Sequence, residues 1–132
     1  MIALLLADRC TGCQRCVATC PRNVFDLAAE GERSPPVVAR AEDCQTCFQC
    51  ELYCDADAIH VEPTVDALLP VNEAEVRASG LLGVYRRDSG WGEWAGDPRY
   101  PNRQWQMEEV FARGRAFHAV PSTTPPPGTT TP

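Results

Sequence analysis

Lysine is absent from this chain, and all twelve of its basic residues are arginine. A guanidinium suits interface ion pairs and stacking on aromatic rings better than an ammonium does. No apolar run approaches the length of a bilayer-spanning helix; Leu4–Leu6 and Leu81–Leu82 are short core or interface patches. No membrane span is therefore expected. Phosphate loop, nucleophile elbow and dinucleotide glycine motif are all missing, and Gly90-Trp91-Gly92 is too short to mark a nucleotide site. The chain is thus expected to have no catalytic residues and no small-molecule substrate site. Histidine is scarce: His60 and His118 stand alone, without a ligand partner at useful spacing. Both are expected to be structural or to face solvent. Met1–Ala7 is apolar but lacks a basic start and is too short for a secretory leader. A cytoplasmic location is expected.

What the chain does have is eight cysteines in two matched groups. Cys10, Cys13, Cys16 and Cys20 form the first, followed by Pro21; Cys44, Cys47, Cys50 and Cys54 form the second. Both read C-x-x-C-x-x-C-x-x-x-C. Structural zinc usually takes two pairs of ligands, often with histidine. Here the cysteines come in fours and no histidine is interleaved, which disfavours zinc. A disulfide framework needs an oxidising compartment, which the missing leader disfavours. The run, with its trailing proline, matches the known bacterial iron–sulfur pattern and accounts for every cysteine. It predicts two [4Fe–4S] clusters and one-electron chemistry. In that pattern the fourth cysteine serves the other cluster. Cys10, Cys13, Cys16 and Cys54 are accordingly assigned to one cluster. Cys44, Cys47, Cys50 and Cys20 are assigned to the second. The two-residue gaps are expected to curl the backbone around each cluster, with N–H groups aimed at sulfur.

The rest of residues 1–62 reads as a duplicated unit of strand, cysteine loop, short helix and strand. Ile2–Ala7 is the first strand, Arg15–Cys20 a short helix, and Asn23–Leu27 an extended segment. Ala28–Pro36 makes a turn or hairpin end. Val37–Ala39, Gln49–Tyr53 and Ala58–Val61 repeat the scheme, with Ile59 and Val61 placed like Phe25 and Leu27. The expected class is α+β. Such a domain has little apolar core of its own, so cluster assembly is expected to be part of folding.

Residues 63–120 hold seven of the ten aromatics, Trp91, Trp94 and Trp105 among them. So many large rings are expected to be buried, against the cluster domain or against a partner. A helix is expected over Glu73–Ser79, with Asn72 as N-cap and Gly80 past its end. Another is expected over about Arg103–Arg113, stopped by Gly114. Arg86–Pro101 shows neither helical nor strand periodicity. Residues 121–132, nearly all proline and threonine, are expected to be disordered.

The net charge is −6, and the acidity is uneven. Ten acids face five arginines in residues 1–62; eight face seven in 63–132. An acidic redox half favours a basic partner and disfavours nucleic acid, although acidity also serves plain solubility.

Residues 1–62 resemble two-cluster bacterial ferredoxins, through Cys10-Thr11-Gly12-Cys13-Gln14-Arg15-Cys16 and Cys20-Pro21. The motif Cys44-Gln45-Thr46-Cys47-Phe48-Gln49-Cys50-Glu51-Leu52-Tyr53-Cys54 is similar to that of a narrower group. Its members are the ferredoxin-like subunits that accompany FAD-dependent flavoproteins of the fumarate reductase type, as in adenylylsulfate reductase beta subunits. In that group a tail wraps around the flavoprotein, and Gly80–Arg87 with Gly90-Trp91 resembles such a tail. The resemblance implies a bacterial two-cluster ferredoxin fold with a long, mostly irregular C-terminal extension. It also implies three parts: a cluster domain over 1–62, an extended partner-binding arm with short helices over 63–120, and the tail 121–132. The implied function is that of a non-catalytic electron-transfer subunit exchanging single electrons with a flavoprotein. A freely diffusing ferredoxin, and a docking module with purely structural clusters, are the other readings.

Three departures stand out. The segment between Cys20 and Cys44 is long, which points to a hairpin insertion. Asp55 replaces the usual proline. Gln45 stands where adenylylsulfate reductase beta subunits carry tryptophan, so that substrate is not carried over. A carboxylate at Asp55, with Asp57 adding to it, would lower a nearby cluster's potential; an Asp55 N–H bonded to sulfur would raise it. Phe48 and Tyr53 are expected to shield a cluster from water. Trp91, Trp94 and Trp105 are expected to be interface anchors. Arg86 and Arg87 are expected to meet acids on a partner or to face solvent.

Overall fold

The computed structural model describes residues 1–28, 33–102 and 112. Strand β1 (Ile2–Leu5) pairs antiparallel with β4 (Ile59–Val61), in the register Ile2↔Val61 and Leu5↔Ile59. The two ends of the cysteine region thus meet in one small sheet. A second antiparallel pair, β2 (Phe25–Asp26) with β3 (Val37–Val38), forms the insertion between the cysteine groups. Its tip, residues 29–32, lies outside the described residues. Helices α1 (Arg15–Thr19) and α2 (Gln49–Tyr53) follow the two cysteine loops and pack on each other. Thr19 Oγ1 and Gln49 Oε1 are bonded across them at 3.3 Å. The class is α+β, with two two-stranded sheets and short helices among the described residues.

Several elements run shorter than their sequence patterns: β1 stops at Leu5 and α1 at Thr19, one residue before Cys20, whereas α2 has the expected bounds Gln49–Tyr53. Leu27 is a correction. Val61, expected to be its counterpart, is 3% exposed, but Leu27 is 66% exposed because it lies beyond the paired residues of β2.

After β4 the chain turns through exposed Val65, Leu68 and Leu69 into α3 (Glu73–Ser79). This helix has the expected ends. Asn72 Oδ1 accepts the Glu75 N–H at 3.0 Å, and Gly80 takes the left-handed conformation at φ 77°. Val76, its inward residue, is fully buried. Helix α4 (Val84–Asp88) begins just before the stretch read as aperiodic and runs into its first residues. Five residues make barely more than one turn, too few to leave a periodic signal. A 3₁₀ turn, Gly92–Trp94, follows it. The helix expected over Arg103–Arg113, with Trp105, His118 and the tail 121–132, lies outside the described residues.

The core joins the two parts of the chain. Ile2, Val24, Phe25, Phe48, Leu52, Ile59 and Val61 pack with Cys16 and Cys50, and Tyr85 of α4 completes the cluster. The Tyr85 ring lies 4.9 Å from that of Phe48. Trp91 packs at the margin, edge-on to Tyr53 at 5.7 Å. Part of the aromatic content of 63–120 is therefore buried against the cysteine region itself.

Strand β4 is buried on both faces. Ile59 and Val61 face the cysteines. By the alternation of a strand, His60 and Glu62 share the opposite face. There His60 Nε2 meets Glu62 Oε1 at 2.6 Å, and both residues are buried. His60 is thus structural as expected, but it has a partner two residues away that its isolation among metal-ligand types concealed.

Candidate metal centres

The two cysteine loops share one backbone conformation at a constant offset of 34 residues. Gly12 and Thr46 have φ of 72° and 59°; Gln14 and Phe48 have 63° and 61°; Asn23 and Asp57 have 54° and 51°. Left-handed φ is costly for most side chains, above all a β-branched one such as Thr46. Its recurrence at matched places means that surrounding contacts enforce it, and such enforced strain gathers at functional sites. The result is a curl with N–H groups on its inner side, a form that suits anionic groups. Gly12 N–H points to Cys10 Sγ at 3.4 Å and Thr46 N–H to Cys44 Sγ at 3.4 Å. Ile2 N–H also reaches Cys44 Sγ at 3.3 Å, and Ala58 N–H reaches Cys54 Sγ at 3.4 Å.

Each curl borders a cavity. Cys10, Cys13, Cys16 and Cys54 line the first, which holds about 360 Å³ of empty space, part of it open to solvent. Cys20, Cys44, Cys47 and Cys50 line the second, of about 340 Å³. Every sequence-predicted site residue is thus beside one of the two. The grouping crosses the chain because α1 and α2 are adjacent: each helix carries the third cysteine of its run and ends at the fourth. The fourth cysteine therefore faces the neighbouring loop. The thiols of each set stand around a space, and among the described residues no three His, Cys, Asp or Glu converge on a single metal-ion position.

Burial pushes the Cys16 thiol up to about 11, and the Cys50 and Cys54 thiols upward too, with neighbouring thiols adding to the effect. Without metal these groups would hold their protons. Iron binding must displace them, so occupancy should couple to folding and pH. Four sulfurs around an apolar-walled space, all but Cys13 buried or half-buried, fit an iron–sulfur cluster.

The walls differ. Pro36, Tyr53, Ala58 and Ile59 flank the first cavity, whose Cys13 is exposed. Ile2, Val24, Phe25, Phe48 and Val61 flank the second. Phe48 is 3% exposed and shields as expected, whereas Tyr53 is half out in solvent. Asp55 lines the first cavity and stands 3.8 Å from the Arg15 guanidinium, both exposed. That partner offsets part of its charge. The amides of Ala56 and Ala58 bond the Cys54 sulfur. Asp57 is half-buried, and burial pushes its carboxyl up.

Arg86 departs from both roles expected of it. It is 6% exposed, and it serves this chain's own acid. Its Nε donates to Glu93 Oε2 at 3.1 Å, its Nη2 donates to the same oxygen, and Nη1 donates to the Leu52 carbonyl at 3.4 Å. Gly92 is required here: a Cβ on it would fall 2.0 Å from Arg86 Nη2. Gly92 thus covers a guanidinium closely, while Gly90 lies against the Tyr100 carbonyl. Arg87 pairs with the adjacent Asp88 at 3.0 Å and lies over the Tyr100 ring. The sequence clue to Arg86 was Gly92, which marks a close backbone approach.

With this geometry in hand, comparison with protein families bears on the cysteine region. Residues 9–58 match the 4Fe-4S dicluster domain. The matched segment contains all eight cysteines. It supports a ferredoxin-like iron–sulfur protein, fits two [4Fe–4S] clusters and suggests electron transfer. No curated protein and no solved structure matches the chain. Among the described residues no helix is long and apolar enough to cross a membrane.

Proposed function

We propose that this chain is an electron-transfer iron–sulfur subunit of two-cluster ferredoxin type. Cys10, Cys13, Cys16 and Cys54 would hold one [4Fe–4S] cluster, and Cys20, Cys44, Cys47 and Cys50 the other. The observation that carries the reading is the pair of near-equal cavities, each ringed by three cysteines of one run and the last of the other. Such clusters supply one-electron couples whose potentials follow burial and hydrogen bonds to sulfur. The chain's own residues do the rest. The Gly12, Thr46, Ile2 and Ala58 amides point at sulfur and favour its negative charge. Phe25, Phe48 and Val61 exclude water from the second set; Pro36 and Ile59 do so for the first.

The partner we propose is an FAD-dependent oxidoreductase of the fumarate reductase type, in a complex like that of adenylylsulfate reductase. Residues 63–120 would act as the arm and 1–62 as the cluster domain, in a cytoplasmic setting. The resemblance of Gly80–Arg87 and Gly90-Trp91 supports the arm, as do the exposed Val65, Leu68 and Leu69. A second reading, a freely diffusing ferredoxin, is favoured by a specific observation. Tyr85, Arg86 and Trp91 of the extension fold onto the chain's own α2. The test is anaerobic reconstitution followed by iron analysis and gel filtration, alone and with a neighbouring flavoprotein. Two clusters require about eight irons, and far fewer would defeat the assignment. A monomer that ignores the flavoprotein would select the diffusible carrier. An EPR signal unchanged by dithionite would select structural clusters.

A further inference from the structure

The extension does more than cover α2. Helix α2 is shared by the two cavities, since it carries Cys50 of the second set and leads directly into Cys54 of the first. Between these cysteines lies the Leu52 carbonyl, near the helix end where orphan carbonyls gather negative partial charge. Arg86 donates to that carbonyl from a site nine-tenths buried. Its counter-ion, Glu93, has a half-exposed side chain. The Asp57 carboxylate feels the same guanidinium. Gly92, at positive φ, lets the chain close over the charge without a clash, while Gly90 faces the Tyr100 carbonyl. A buried cation with a solvated counter-ion leaves a net positive field inside, because water screens the anion more strongly.

We propose that Arg86 is a positioning residue for electron transfer. It holds the helix that links the two cysteine sets, and its charge beside that helix favours the reduced state of the centres. This rests on the two-cluster reading above.

The test is an EPR-monitored redox titration of the full reconstituted chain, with iron counted in every sample. Arg86→Met removes the charge while keeping much of the volume, and should lower the midpoint potentials. The expected size is about a tenfold shift in the reduced-to-oxidised ratio, about 59 mV for a one-electron couple. Glu93→Gln leaves Arg86 in place and removes its counter-ion, so it should shift the potentials upward by a smaller factor. Loosened packing alone would not produce opposite signs. Arg99→Met, at an exposed arginine paired with Asp97, should shift nothing. If Arg86→Met fails to hold iron, Glu93→Gln against Arg99→Met still decides. Unchanged potentials in Arg86→Met and Glu93→Gln, shifts of the same sign, or an equal shift in Arg99→Met would overturn the inference while leaving the two clusters standing. Too little iron in the unsubstituted chain would overturn both.

Discussion

The first and second cysteine loops have the same curl but different covers. Gly12 and Gln14 in the first take the φ values of Thr46 and Phe48 in the second. Over the first lies the β2–β3 insertion: a Cβ on Gly12 would sit 2.6 Å from the Arg33 carbonyl carbon, and Gln14 Nε2 donates to the Ser34 carbonyl at 2.9 Å. Over the second lies the extension. Thr46 Oγ1 donates to the Thr64 carbonyl, and Phe48 packs on Tyr85. The cysteine spacing therefore sets the path of the backbone, and the cover decides which side chains that path tolerates. Glycine is needed where backbone lies on top; threonine serves where its hydroxyl finds a carbonyl.

Four experiments would break or sharpen this comparison. Withholding iron removes what the two loops share. The iron-free chain should lose cooperative melting by circular dichroism, since the small apolar core is threaded through the cysteines. A compact apo-form with a sharp transition would show that the covers suffice alone. Next in size is Tyr85→Ala, which strips the second loop only. It should cost ~3–5 kcal/mol, as for other large buried aromatics, and iron should leave the second set first, seen as loss of one of two EPR components. Equal loss from both would mean that the covers are not separate.

Gly12→Ala and Thr46→Gly form the direct contrast. The alanine meets both a positive φ and the Arg33 backbone, and should cost ~1–3 kcal/mol or more. Thr46→Gly relieves strain but loses a hydroxyl bond and gains unfolded-state entropy, so its net effect should stay within about 1 kcal/mol. Thermal melts of the loaded proteins compare them, and equal costs would refute the role given to the covers.

The smallest effects belong to surface ion pairs, one pinning each cover. Arg40 holds Asp26 at 2.5 Å on the insertion, and Arg77 holds Asp8 at 2.6 Å across to α3. Hydrogen bonds from these guanidinium groups keep both carboxyls below their ordinary value of 3.8. A lowered folded value means that the contribution is present above 3.8 and fades as pH falls through the lowered one. Both pairs are exposed, so Asp26→Asn and Asp8→Asn should each lower the melting point only slightly at pH 5, less still at pH 3 or in high salt. A large loss from either would make that pin a major part of its cover.

Much of this was legible in the chain because it is local. Two cysteine runs, the helix over Gln49–Tyr53, and the Asn72 and Gly80 ends of α3 all follow from residues within a turn or two of one another. The hairpin insertion could be inferred from length alone. Helix α4 could not, because one turn carries no period. The His60–Glu62 pair could not, because a lone histidine in a strand reads the same whether it faces water or acid. Arg86 was marked only indirectly, by the glycine at 92 that permits the close approach.

Spacing along the backbone, then, determined the curls and the chemistry of the sulfurs, since three thiols on one tight loop need nothing beyond their own peptide geometry. The packing of α1 against α2 is what turns Cys20 and Cys54 toward each other's loops, a crossing that the sequence offered only through the known pattern of such runs. The same long-range packing buried a guanidinium over the Leu52 carbonyl and made glycine obligatory at 12 but not at 46. Those outcomes depend on what approaches from far along the chain, Arg33 on Gly12 and Arg86 on Leu52.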